Sequence, residues 1–196
     1  MSSRWRDHCK KTVTKYWLRV LLESCQTYPT LDLFDASRLD LGSPHPIWSA
    51  AARDAVGTRR ATYCLWILLG VYNTRERLHK MKQAKTPYCV LCKEESDSPQ
   101  IEDRTHFLLS CPALQDTREN FLQQFLSLSP ALVDHMEVSN SFLVCLVDPY
   151  SPLVPDDLRL SWASPELVYE TSRNFCFAMH NERSKKIESI SQAVDH

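Results

Sequence analysis

Apolar residues in this chain recur at helical spacing. In KTVTKYWLRVLLESC, residues 11–25, the side chains Val13, Trp17, Val20, Leu21 and Cys25 follow steps that gather them on one face of an amphipathic helix. The stretch that follows, YPTLDLFDASRLDLGSPHPIW, is broken by Pro29, Gly42, Pro44 and Pro46 and predicts irregular chain. Pro46 suits the first position of a further helix running through Trp48 and Ala52. Thr58 is placed to cap a third helix, TRRATYCLWILLGVY, whose apolar positions run almost all the way round and predict the central core helix. Gly70 predicts a break before VYNTRERLHKMKQAK.

The second half continues in the same manner. PALQDTRENFLQQFLSL, residues 112–128, reads as a helix with Leu114, Phe121, Leu122, Phe125 and Leu128 on its apolar face. NSFLVCLVD, residues 140–148, is short and apolar, and its periodicity fits a buried helix or a strand. Prolines punctuate residues 148–165. Ser164 then caps, and Pro165 opens, a long helix to about Ile190 with Val168, Phe175, Cys176, Met179, Ile187 and Ile190 inward.

Composition sharpens this picture. Three glycines against eleven prolines disfavour a many-turned sheet and glycine-rich phosphate loops, and neither GxGxxG nor GxxxxGK[ST] occurs. The longest apolar run, YCLWILLGVY, is half a bilayer span. MSSRWRDHCKK lacks the apolar segment of a secretory signal, so an intracellular setting, nucleus or cytoplasm, is expected. In that setting eight cysteines predict thiols or metal ligands before disulfides.

The near-neutral total hides a division: residues 1–85 carry a net +8 and residues 86–196 a net −9. Arg59, Arg60, Arg75, Arg77, Lys80, Lys82 and Lys85 form a basic segment suited to tracking an RNA or DNA backbone, with Tyr72 and Tyr88 placed to stack on unpaired bases. The plainer alternatives are a solvated helix face, or two halves that neutralise each other across an internal contact.

The densest chemistry is YCVLCKEESDSPQIEDRTHFLLSCPAL, residues 88–114, with the spacing Cys-x2-Cys-x13-His-x4-Cys. A CxxC pair aims two sulfurs into one concavity, and His106-x4-Cys111 fits the start of a helix. Cys89, Cys92, His106 and Cys111 thus make a candidate Cys3His set for one structural Zn2+, with no position left for water. Such a site would supply local folding energy on the order of ten kcal/mol. A redox CxxC would need a strand before it and a helix after it, and both are missing.

The same residues carry a resemblance. Cys89, Leu91 and Cys92, then Glu102-Asp103, then His106, Phe107, Leu108, Leu109, Cys111 and Pro112, and Arg118 resemble the cysteine-histidine module near the C-terminus of non-LTR (LINE-like) retrotransposon reverse transcriptases. RRATYCLWILLGVYNTRERLHK, YPTL at 28–31 and HPIW at 45–48 are similar to that family's flanks. Residues 45–120 match well and the rest loosely; the gap from Cys92 to His106 is longer than the family's, with a polar insertion around Ser96-Asp97-Ser98-Pro99. The resemblance implies a nucleic-acid-binding region that follows a polymerase, without the polymerase itself. The single Asp-Asp, Asp156-Asp157 in LVPDDLR, lacks the aromatic and strands of a two-metal polymerase hairpin and reads as a loop or helix start. Pro155-Asp156 with Glu166 lacks the lysine of a nuclease site, so no catalysis is expected. His180 is expected at a surface or interface, and Cys64, Cys145 and Cys176 as core thiols; the spacing assigns no role to Cys9 or Cys25.

The expected architecture is mainly α: a basic helical region (1–85), a small inserted Cys3His zinc module (86–118), and an acidic helical region (119–196) packing on the first. The expected partner is an RNA or DNA backbone, with no membrane. The alternative is a zinc-stapled helical protein-interaction module that binds no nucleic acid.

Overall fold

The computed structural model describes residues 3–35, 43–49, 51, 54–92 and 99–194. The structure is mainly α, and no strand occurs among the described residues; one isolated antiparallel bridge joins Tyr88 to Ile101. Among the described residues, eight α-helices follow in order: α1 (Ser3–Thr27), α2 (Pro46–Ser49), α3 (Ala55–Leu68), α4 (Arg75–Lys80), α5 (Gln115–Leu128), α6 (Asn140–Val147), α7 (Asp156–Ser161) and α8 (Pro165–Val194). No described helix is long and apolar enough to cross a membrane.

The core forms where α3 lies along α8, with α2, α5 and α6 packed around that pair. Ala61, Cys64, Ile67 and Leu68 of α3 are buried, and so are Val168, Phe175, Cys176 and Met179 of α8. α6 is buried through Phe142–Val147, which settles its ambiguous apolar run as a helix. Ser139 caps it by accepting from the Phe142 N–H at 3.1 Å. Cys64, Cys145 and Cys176 are buried free thiols, as expected. Burial pushes the Cys145 thiol up to about 12, and a hydrogen bond with Cys176, then burial, raises that of Cys64.

Several boundaries differ from the sequence reading. α3 starts three residues before Thr58, because Asp54 takes the cap and accepts from the Gly57 N–H at 2.7 Å. Thr58 sits inside the first turn. α3 is also less enclosed than its composition suggests, since Trp66 projects into solvent. On α8, Ser164 accepts from the Leu167 N–H as predicted, but Ile190 is exposed. The helix expected over 11–25 extends to 3–27, and Val13 and Trp17 on its apolar stripe stay in solvent. α2 ends at Ser49; Ala52 lies outside the described residues, as do Gly42 and the inserted Ser96, Asp97 and Ser98.

Two of the flanking motifs meet at Gly70, whose φ of +67° is the left-handed turn that ends α3. A Cβ there would come within 2.2 Å of the Thr30 carbonyl oxygen, so only glycine lets the 28–31 segment close over this turn. HPIW is anchored separately. Ile47 is fully buried, its carbonyl accepts from Arg173 of α8 at 3.3 Å, and His45 pairs with Asp148 after α6.

Candidate metal centre

Two short arms bring the four residues together. The Cys89 N–H donates to the Gln100 carbonyl at 2.8 Å and the Glu102 N–H to that of Pro87 at 2.9 Å, which sets the CxxC turn against the approach to His106. Asp103 Oδ1 accepts from the His106 N–H at 2.6 Å and starts the next turn. That turn, His106–Ser110, is a single π turn rather than the helix start expected, closed by the Cys111 N–H donating to the His106 carbonyl at 2.7 Å. The difference has a geometric purpose. In an α-helix a residue five positions on lies about 140° round the axis; the wider turn returns Cys111 to the side of His106.

The ligand atoms converge. Cys92 Sγ lies 3.6 Å from Cys111 Sγ and 3.3 Å from His106 Nε2, and Cys89 Sγ is 3.9 Å from Cys111 Sγ. All four lie within 4.8 Å of one another, and all four residues are buried. A tetrahedral ion bound at about 2.3 Å to sulfur and 2.0 Å to nitrogen requires sulfur–sulfur edges of about 3.8 Å and sulfur–nitrogen edges of about 3.5 Å. The three measured edges fit that tetrahedron. They are far from the roughly 2.05 Å of a disulfide. The site can therefore hold one metal ion.

Electrostatics point the same way. Hydrogen bonding from the Cys111 thiol, against burial, pulls the Cys89 thiol well below its ordinary range. The same bond and burial push Cys111 well above it. One sulfur ionises easily and makes the next hard to ionise; a bound cation removes that conflict. His106 Nδ1 faces Ser110 Oγ at 3.5 Å, leaving Nε2 for the centre.

The surroundings hold the site to the helices. Arg118 of α5 is buried and donates to the carbonyls of Leu108, at 2.9 Å, and Cys111. Glu102, 1 % exposed, receives Arg183 of α8 in a two-pronged pair at 2.7 and 2.9 Å, and also accepts from the Arg75 N–H at the start of α4. Tyr72 and Phe107 stack at 5.0 Å, with the Arg183 guanidinium over both rings. Arg104 donates to the carbonyls of Thr30 and Ile67 and pairs with Asp32, tying the 28–31 segment and α3 to the same arm. Arg183 had no sequence signal beyond being a cation on a long helix; Glu102 and Arg118 were visible through the resemblance.

The expected nucleic-acid residues divide. Arg59, Lys80, Lys82 and Lys85 are exposed, Lys80 with Glu76 at 2.6 Å. Arg60, Arg75 and Arg77 are half-buried; Arg77 donates to Asn73 at 2.7 Å, and the Nε atoms of Arg60 and Arg75 are buried without a partner. Tyr72 is not free to stack on bases, because its ring is buried against Phe107 and its hydroxyl meets His180 Nδ1 at 3.0 Å. Tyr88 is exposed. His180 lies at an internal interface: it is half-buried on α8 and stacked on Tyr63 of α3 at 3.9 Å. Asp156 and Asp157 open α7, where Arg159 and His135 pair with them. Among the described residues, no other His, Cys, Asp or Glu group of three or more converges. Nor does any Lys or Arg of residues 1–85 pair there with an acid of residues 86–196; Arg104–Asp32 runs the other way. Among the described residues, the basic half is therefore not neutralised by such ion pairs.

Comparison with protein-family models, with curated proteins and with solved structures finds no match for this chain.

Proposed function

We propose that the chain is a non-catalytic nucleic-acid-binding module built on one structural Zn2+. The convergence of Cys89, Cys92, His106 and Cys111 carries the reading: three thiols and an imidazole at tetrahedral edge lengths suit zinc, and four protein donors leave it no open position for chemistry. The nucleic-acid part is supported by the resemblance to the retrotransposon reverse transcriptase module and by Lys82, Lys85 and Lys80, exposed directly before the CxxC turn. These cations would contact phosphates, while the buried Arg183–Glu102 pair fixes α4 relative to the metal.

The test is binding of labelled single-stranded RNA and DNA to the purified chain across a salt series. The reading expects affinity to fall as salt rises, and Lys82→Gln with Lys85→Gln to weaken binding while the zinc content stays at one. Absence of binding at low salt would leave a zinc-stapled protein-interaction module.

A further inference from the structure

The first helix stands apart from the core. Its main packing is against the short turn Pro29–Leu31 at its own C-terminal end, and its first four turns are open to solvent. Six cations lie on it, Arg4, Arg6, Lys10, Lys11, Lys15 and Arg19, against the acids Asp7 and Glu23. Arg4, Lys11, Lys15 and Arg19 share one side, spread over about 22 Å of helix axis. Among them only Arg19 meets an acid among the described residues, Glu23 at 3.7 Å with both side chains exposed. Beside that stripe stand Trp5 and Tyr16, 53 % and 52 % exposed, and Trp17, 56 % exposed, stands on the other flank between Arg6 and Lys10.

The pattern selects among occupants. A lipid-bound helix separates a continuous apolar face from its cations; here Arg6 falls between Val13 and Trp17, so the apolar arc is interrupted by charge. Pairing with a second copy through this face would set two rows of cations against each other. Alternation of exposed cations, of which Arg19 alone pairs with an acid among the described residues and also lies 5.7 Å over the Tyr16 ring, with exposed flat rings matches a flexible polyanion that carries its own rings. We infer that α1 is a second, independent docking surface for single-stranded nucleic acid, with phosphates along Arg4, Lys11, Lys15 and Arg19 and unpaired bases against Trp5 and Tyr16. It shares with the proposed function only the class of partner.

The experiment uses the full zinc-loaded chain and a fluorescein-labelled 20-nucleotide oligouridylate, with Lys11→Gln/Lys15→Gln, Trp5→Ala and Lys82→Gln/Lys85→Gln compared over a salt series. Vesicles of phosphatidylcholine with phosphatidylserine serve as the competing anionic surface. All three variants change exposed side chains, and unchanged helicity and zinc content verify their folding. The α1 charge variant should reduce the slope of log affinity against log salt by about 1.4. Trp5→Ala should weaken binding about tenfold at every salt concentration. Unchanged binding in both α1 variants, with loss in the Lys82/Lys85 variant, would overturn the α1 surface and leave the proposed function standing. Loss in the α1 variants alone would uphold α1 against the surface of Lys80, Lys82 and Lys85. Vesicle binding without oligonucleotide binding, or no binding to either, would overturn both nucleic-acid surfaces.

Discussion

At the scale of single residues, the centre depends on charges buried around it. Glu102 and Arg183 are both enclosed, and each fills the hydrogen-bonding needs of the other while Glu102 also starts α4. Removing one partner strands the other: Arg183→Ala should cost about 3–5 kcal/mol of unfolding free energy in urea titration, and a cost under about 1 kcal/mol would show the pair to be solvated. His180 offers a pH-dependent check. Burial, then the nearby Arg183 charge, lowers its pKa below 6.5. The unfolded chain therefore binds this proton more readily than the folded one. The stability His180 contributes is present above pH 6.5 and is lost as pH falls toward the folded pKa. Imidazole resonances followed by NMR should show His180 titrating below 6.5; titration at or above 6.5 would contradict its enclosure by Tyr63 and Tyr72.

At the scale of elements, turns rather than helices fix the geometry. The π turn His106–Ser110 aligns two ligands that an α-helical turn would separate, and no propensity in HFLLS announces it. Gly70 is the other decisive turn. Gly70→Ala would place a methyl group against the Thr30 carbonyl and force a left-handed backbone on alanine. It should lower stability by on the order of 3 kcal/mol in thermal or urea unfolding; a neutral substitution would mean that the 28–31 segment does not close over α3. The helices themselves were largely legible, because caps and spacing are local signals. Ser164 and Pro165 marked α8, and the spacing of Leu114, Phe121 and Phe125 marked α5. The cap of α3 was misplaced because Asp54 and Thr58 are both good caps, and only the fold decides between them.

At the scale of the whole molecule, the candidate metal centre is continuous with the core. Cys89, Cys92 and Cys111 belong to one buried cluster that also contains Ile67, Phe125, Phe175 and Met179. That Cys89, Cys92, His106 and Cys111 converge on one point was readable from spacing alone, since metal chemistry restricts residue type and separation. What spacing could not show was long-range ties: Arg183 reaches Glu102 across 81 positions and Tyr72 meets His180 across 108. Nor could it show which cations stay exposed, which is decided by the helix faces that pack.

The most direct test of the central claim is the zinc content and chelator response of the purified chain. Elemental analysis should give about one Zn2+ per molecule, and Cys92→Ser or Cys111→Ser should abolish it. Removing the metal with a strong chelator should unfold the arms around residues 87–114 and lower the unfolding midpoint, because the binding free energy is local folding free energy. A metal-free chain with the helicity and unfolding midpoint of the original would contradict the account.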